Sequence, residues 1–186
     1  MDRIEGALGI EIGGATAERV VLAVFFLLGT VLGAYVWIPL PFTPVPVTLQ
    51  TLFVLLGGAW LGRNWAAVVQ GAYLAVGASG LAVFAGAAAG AFVLAGPDAG
   101  YLWGFLPASL LVGGLWDRAS GRVASRVALL ACADLLILLM GTAWLAFELH
   151  LGPIRAFLMG VAPFLPGEVV KVLAASALGP KGGARG

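Results

Sequence analysis

The sequence predicts an all-α integral membrane protein with six transmembrane helices, and three observations carry that prediction. Of 186 residues, 61% are hydrophobic and only 10% are charged, against about 25% charged in an average soluble domain. Mean hydropathy is +1.05, and the apolar runs recur along the whole length, so one cleaved leader does not account for them. Between the runs stand Pro-, Gly- and Arg-bearing segments of the kind that end helices. The chain 1–186 therefore reads as a single transmembrane domain.

A bilayer core takes roughly 20 apolar residues as helix. Residues 1–19 form a polar N-terminal stretch. Helix 1 then runs from about Val20 to Trp37 and stops where Pro39 and Pro41 forbid continuation. From Ile38 to Gln50 the segment IPLPFTPVPVTLQ holds four prolines and no charge, which predicts a rigid, apolar, non-helical loop between helices 1 and 2. Helix 2 covers about Val47 to Leu61, and the tight turn GRN separates it from helix 3, about Trp65 to Val83. Glycines are so dense from Phe84 to Gly100, FAGAAAGAFVLAGPDAG, that irregular or broken helix is expected there. Helix 4 covers about Tyr101 to Trp116, helix 5 about Val127 to Phe147 and helix 6 about Phe164 to Leu178, before the tail 179–186. Helices 2 and 6 barely reach across, so the bundle is expected to pack around an indentation.

Orientation follows from the basic residues. With the N-terminus inside, Arg3, Arg19, Arg63, Arg118, Arg122, Arg126, Lys181 and Arg185 are all cytoplasmic and only Arg155 is outside. Both termini are then cytoplasmic. The proline loop, the Gly/Ala loop with Asp98, and the FELHLGPIR connection share the outer face and suggest a covered pocket opening outward. A net charge of +1 without a basic cluster gives nucleic-acid binding no support. One Cys and one His exclude an intramolecular disulfide and a structural zinc cluster.

Ionisable groups inside a membrane are costly and functional by default. Glu168 and Lys171 share one face of helix 6 near its outer end. They either neutralise each other or hold a small ligand that offers both an anionic end and N–H donors. Asp134 has no evident local partner; Arg126, two turns away, is one candidate, and no ligand role is assigned to it. Thr48 and Gln50 open helix 2 beside its unpaired N–H groups, Thr48 as a possible cap. Tyr73, Tyr101, Trp103 and Trp144 are interfacial anchors or pocket walls, with Tyr101 and Trp103 the better placed for a pocket because they follow the outer Gly-rich loop. GTVLG, Gly29 to Gly33, has the small-xxx-small spacing that admits a second helix closely.

GASG, Gly77 to Gly80, matches the GxSG of rhomboid intramembrane proteases, with Ser79 as nucleophile and His150 as the sole base. The predicted topology puts both near outer helix ends without further oxyanion donors, which argues against a serine hydrolase.

Four blocks in order, IPLPFTPVPVTLQTLFVLLGG, YLAVGASGLAVFAG, GPDAGYLWGFLPASLLVGGL and PFLPGEVVKVLAA, resemble the BioY family. Its members are the biotin-specific substrate-capture (S) subunits of energy-coupling factor (ECF) transporters. The resemblance spans about Ile38 to Leu115 and Pro163 to Ala175. It implies six helices, cytoplasmic termini, a high-affinity outer site and a lid at residues 38–47. It also implies that Glu168 and Lys171 bind biotin, with Glu where the family pattern has Asp. Gln50, Tyr101 and Trp103 are expected to complete the site, with Thr43 of the lid and Gly86 of the Gly/Ala loop; Leu102 and Trp103 stand where some relatives carry a basic side chain. No cofactor is implied, because ATP is hydrolysed only by partner ABC-type ATPase subunits. A transmembrane coupling (T) protein is the expected partner, with Gly29 and Gly33 resembling the surface offered to it; a homo-oligomer is the alternative. The setting implied is a prokaryotic cell membrane, and the nearest rival is an S subunit for another small vitamin.

Overall fold

The computed structural model describes residues 14–181. The expectations for Arg3, Arg185 and the outermost parts of both terminal segments lie outside the described residues. Helix α1 spans Gly14–Tyr35, starting inside the polar stretch. The proline segment follows, and it corrects the all-α expectation: it forms a two-stranded antiparallel hairpin, β1 Trp37–Leu40 and β2 Thr43–Thr48, pairing Trp37 with Thr48 and Ile38 with Val47. Proline forbids helix but not an edge strand. Pro44 and Pro46, two apart, place their missing donors on the same edge of β2, and Pro39 sits where the register shifts between Ile38 and Leu40.

Helix α2, Gln50–Ala78, is broken at Gly62, whose φ of 77° and ψ of 176° are not helical. Gln50 Nε2 donates to the Tyr73 hydroxyl at 2.5 Å. In unbroken helix these residues would stand about 35 Å apart, so the chain doubles back at Gly62 and its two arms lie antiparallel. The break falls on the first residue of the GRN turn. Beyond α2 the Gly/Ala loop makes short 3-10 turns at Ala85–Ala87 and Ala91–Ala95. Gly86 and Gly90, with φ of 67° and 99°, adopt backbone that side chains disfavour.

Helices α3, Ala99–Ala119, and α4, Val123–Glu148, complete the long elements. A short α5, Pro153–Gly160, was not anticipated; Pro153 opens it, where its missing N–H costs nothing. It meets α6, Leu165–Leu178, at a bend of 52°. By length and composition four of the described helices can cross a membrane, or five if the bent pair counts as one span.

Small residues sit where helices cross, letting backbones touch. A Cβ at Gly58 would meet Val112 at 2.8 Å, and one at Gly104 would meet Ile137 at 3.0 Å. Gly29 and Gly33 serve the same purpose, which corrects their expected role as a partner surface. Gly29 lies under the Phe53 ring, and a Cβ on Gly33 would come within 3.0 Å of the Gln50 backbone nitrogen. The GTVLG face is thus spent seating α1 on α2. The outward face of α1 carries Val21, Val24, Phe25, Leu28 and Leu32 instead.

Chain direction sorts the loops to two ends. One end holds the hairpin, the Gly/Ala loop and α5 with Arg155. The other holds the start of α1, the Gly62 break, the α3–α4 turn and the end of α6. That second end is tied together by Trp60 Nε1 donating to the Leu178 carbonyl at 3.2 Å and Trp116 Nε1 donating to that of Pro180 at 3.2 Å.

Candidate functional site

At the hairpin end a cavity opens between the elements, with about 480 Å³ of non-atom space, part of it open to solvent. β2 contributes Val45 and Pro46, α2 contributes Gln50 and Thr51, and α3 contributes Tyr101, Leu102 and Phe105. Ile137 and Leu138 of α4 close one side, with Phe164 and Glu168 at the start of α6. The walls are mostly apolar, with Thr48 and Gln50 on one side, Thr51 and Glu168 at the floor and Asp98 at the mouth.

That floor is a closed triangle. Lys171 Nζ donates to Glu168 Oε1 at 2.6 Å and to Thr51 Oγ1 at 2.9 Å, and the Thr51 hydroxyl donates to Glu168 Oε2 at 2.8 Å. Glu168 and Lys171 are 5% and 7% exposed. Burying an ion pair costs several kcal/mol per ion unless hydrogen bonds complete its geometry, and here Thr51 supplies them from a facing helix. Glu168 also lies in the first turn of α6, where the helix dipole favours a carboxylate.

Two of these partners went unassigned in the sequence. Thr51 has no sequence signal beyond following Gln50. Asp134 did have one, being an acid inside an apolar run. The structure buries it on α4 within electrostatic reach of both Glu168 and Lys171, with its Oδ1 left without a hydrogen-bond partner. Its partner is therefore not Arg126, whose guanidinium Nε and Nη1 make no hydrogen bond. The floor holds two carboxyl groups and one ammonium.

Gln50, 3% exposed, is fixed by both arms of α2. Its amide donates to the Tyr73 hydroxyl, which donates onward to the Val83 carbonyl at 3.1 Å, while the Thr48 hydroxyl donates to Gln50 Oε1 at 3.2 Å. Thr48 Oγ1 also accepts from the Gln50 backbone N–H at 3.4 Å, a local turn ahead of the helix whose cap position is held by Leu49, not by Thr48. The Tyr101 hydroxyl donates to the Gly160 carbonyl at 2.7 Å, and its ring lies 5.8 Å from that of Phe164. These bonds leave the Gln50 and Tyr101 side chains pre-set as cavity wall.

Four expected site residues do not line the cavity, Lys171 among them, which lies behind Thr51 and Glu168 and reaches it through its bonds to them. Trp103 is 42% exposed and turns away, donating from Nε1 to the Leu94 carbonyl at 3.1 Å; it anchors the Gly/Ala loop. Thr43 and Gly86 line a second, outer hollow bounded by Trp37, Leu40 and Pro44. Pro46, Ala85 and Asp98 border both hollows, so the hairpin is the partition between them. Burial pushes the Asp98 carboxyl above the usual aspartate range, partly offset by its backbone hydrogen bond. Ser79 is exposed and spends its hydroxyl on the Val76 carbonyl, and His150 sits on a separate turn with φ 52°. Among the described residues no group of three His, Cys, Asp or Glu side chains could hold a metal ion.

The fold resembles a crystal structure at 2.1 Å of the S-component for biotin from an ECF-type ABC transporter. The TM-score is 0.83 over 91% of this chain and 92% of that one, at 22% identity. A biotin transporter BioY of Thermotoga maritima is 37% identical over 75% of this chain and 82% of its own length. A biotin transporter BioY of Rhizobium etli is 33% identical over 89% of this chain and 92% of its own. All three are named as transporters or a transporter component, not as enzymes. The BioY family model matches residues 7–185, and on that match, with two relatives above 30% identity along most of their length, the chain belongs to the BioY family.

Proposed function

We propose that this chain captures biotin in the cavity beneath the hairpin and delivers it for uptake as the S subunit of an ECF-type transporter. The observation that carries the reading is the Glu168–Thr51–Lys171 floor under apolar walls. Biotin has a ureido ring with two N–H donors and a carbonyl, an apolar thiolane and an anionic valerate. The ureido ring goes down: Glu168 accepts its N–H groups, while Lys171 and Thr51 donate to its carbonyl. Lys171 is already neutralised by Glu168, and no basic side chain lines the upper cavity, so the valerate points towards the mouth. Names of the relatives support uptake of this vitamin over any other.

Six crossings follow if the two arms of α2 each count as a span and the bent α5–α6 pair makes the last. The end rich in Arg19, Arg63, Arg118, Arg122 and Lys181 is then cytoplasmic, with both termini, in the cell membrane of a prokaryote. The hairpin, including residues 38–47, is the outer lid, and its prolines limit the entropy lost on closing. A coupling protein and two ATPases provide the energy, and any contact they make with α1 uses Phe25, Leu28 and Leu32 rather than the buried glycines. Calorimetric titration with biotin, thiamine and riboflavin tests the reading: biotin alone should bind, at about 1 μM or tighter, whereas tighter binding of another vitamin would replace it.

A further inference from the structure

A chain of hydrogen bonds runs from the loop after α2 to the cavity wall, and its polarity is set at the end remote from the ligand. The Tyr73 hydroxyl donates to the Val83 carbonyl at 3.1 Å and accepts from Gln50 Nε2 at 2.5 Å. Gln50 lines the cavity, whereas Tyr73 stands behind it. Tyr73 is fully buried, with its ring edge-on to Phe84 at 5.5 Å and 6.4 Å from that of Phe105, so its oxygen is held in place.

A backbone carbonyl can only accept, and a phenol has one proton to give. Val83 takes that proton, which leaves Tyr73 only lone pairs to offer Gln50. The amino end of the Gln50 amide can meet them; a reversed amide would set oxygen against oxygen. The Thr48 hydroxyl, donating to Gln50 Oε1 at 3.2 Å, suits the same orientation. One N–H and one carbonyl lone pair of the amide then remain. Gln50 is buried and buried polar groups are costly to leave unpaired, so these two positions favour a ligand that supplies an acceptor beside a donor. Of biotin's groups only the ureido ring offers both.

We infer that Tyr73 is a positioning residue for specificity: through the Val83 carbonyl it holds the Gln50 amide in one orientation, so that the cavity wall selects a carbonyl beside an N–H. The inference rests on the biotin reading above and deepens it. Without the Tyr73 hydroxyl the amide is free to turn, and the wall no longer distinguishes donor from acceptor.

A double-mutant cycle tests it, by calorimetric titration of biotin into full-length protein in detergent. Tyr73→Phe keeps the ring and removes the hydroxyl, and should weaken biotin about tenfold, as should Gln50→Ala. Together they should cost no more than Gln50→Ala alone, within about twofold, because Tyr73 acts only through Gln50. The preference for biotin over 2-thiobiotin, whose sulfur accepts poorly, should also shrink in Tyr73→Phe, an effect that loss of packing alone would not produce. Losses that multiply in the double variant, an unchanged affinity in Tyr73→Phe, or an unchanged preference overturn the assignment. Native protein that binds no biotin removes the biotin reading and this inference together, whereas binding with independent losses removes this inference alone. Should Tyr73→Phe not fold, the native protein decides through the side-chain N–H signals of Gln50, one of only two glutamines in the chain. One proton should be protected from exchange before biotin is added and the other should shift on binding. Two unprotected protons, or signals that biotin does not move, overturn it.

Discussion

Two polar layers on the same pair of helices bury charge in opposite ways. At the cavity floor Glu168, Lys171 and Thr51 complete one another's hydrogen bonds. About 12 Å away, Arg126 and Ser176 leave buried donors open. The difference teaches what each layer needs. The floor is stable when empty, so a ligand must compete with internal bonds and wins only by matching them, which favours a neutral, bifunctional group such as a ureido ring. The buried Arg126 and Ser176 donors have no such internal partners.

Removing one partner of the closed layer should have the largest effect. Lys171→Ala leaves two buried carboxyl groups without a cation, which should cost about 3–5 kcal/mol of stability and abolish biotin binding, as read by thermal unfolding and titration. Replacing the pair with apolar residues, Glu168→Leu with Lys171→Met, should restore most of that stability while binding stays lost. Recovery of stability without binding would show that the pair serves recognition, and recovery of both would remove the floor from the site.

Next in size is Thr51→Val, which keeps the shape but deletes the hydroxyl that links acid and base. About 1–2 kcal/mol of stability and roughly tenfold in biotin affinity should go. Asp134→Asn should act more weakly, changing affinity by less than about tenfold, because it removes the carboxyl in excess of the single ammonium and retains the shape.

The smallest effect belongs to Asp98 at the mouth. Its folded-state carboxyl is raised by burial, so it contributes stability below its unfolded value that is lost as pH rises through its folded value. At neutral pH its charge is a cost. Asp98→Asn should therefore raise the unfolding midpoint at pH 7 and leave it unchanged in acid. It should also tighten biotin severalfold without affecting biotin methyl ester, since only the free valerate meets a like charge. Equal effects on acid and ester would mean that the valerate does not point outward.

Much of this was legible in sequence because apolar runs and their breakers report helices directly. The division of α2 at Gly62 and the irregular turns after Phe84 show in the GRN turn and the glycine density. Glu168 and Lys171 stand out because charge inside apolar sequence is rare and three-residue spacing sets a common face. What failed had a common cause. Proline excludes helix but does not choose between loop and strand, so the hairpin depended on pairing between distant residues. GTVLG announces close packing without naming the partner, which proved to be Phe53 and Gln50 of the same chain. Trp103 follows the outer loop as Tyr101 does, but two residues along a helix turn the side chain by about 200°. Thr51 required knowledge that α2 and α6 face each other.

The central claim is that Glu168 and its partners form a biotin floor, and calorimetric titration of biotin into native and Glu168→Ala protein tests it most directly. Saturable one-to-one binding at about 1 μM or tighter, weakened at least about tenfold in the variant, is the predicted result. Native protein that does not bind biotin, or a variant that binds it equally well, would contradict the account.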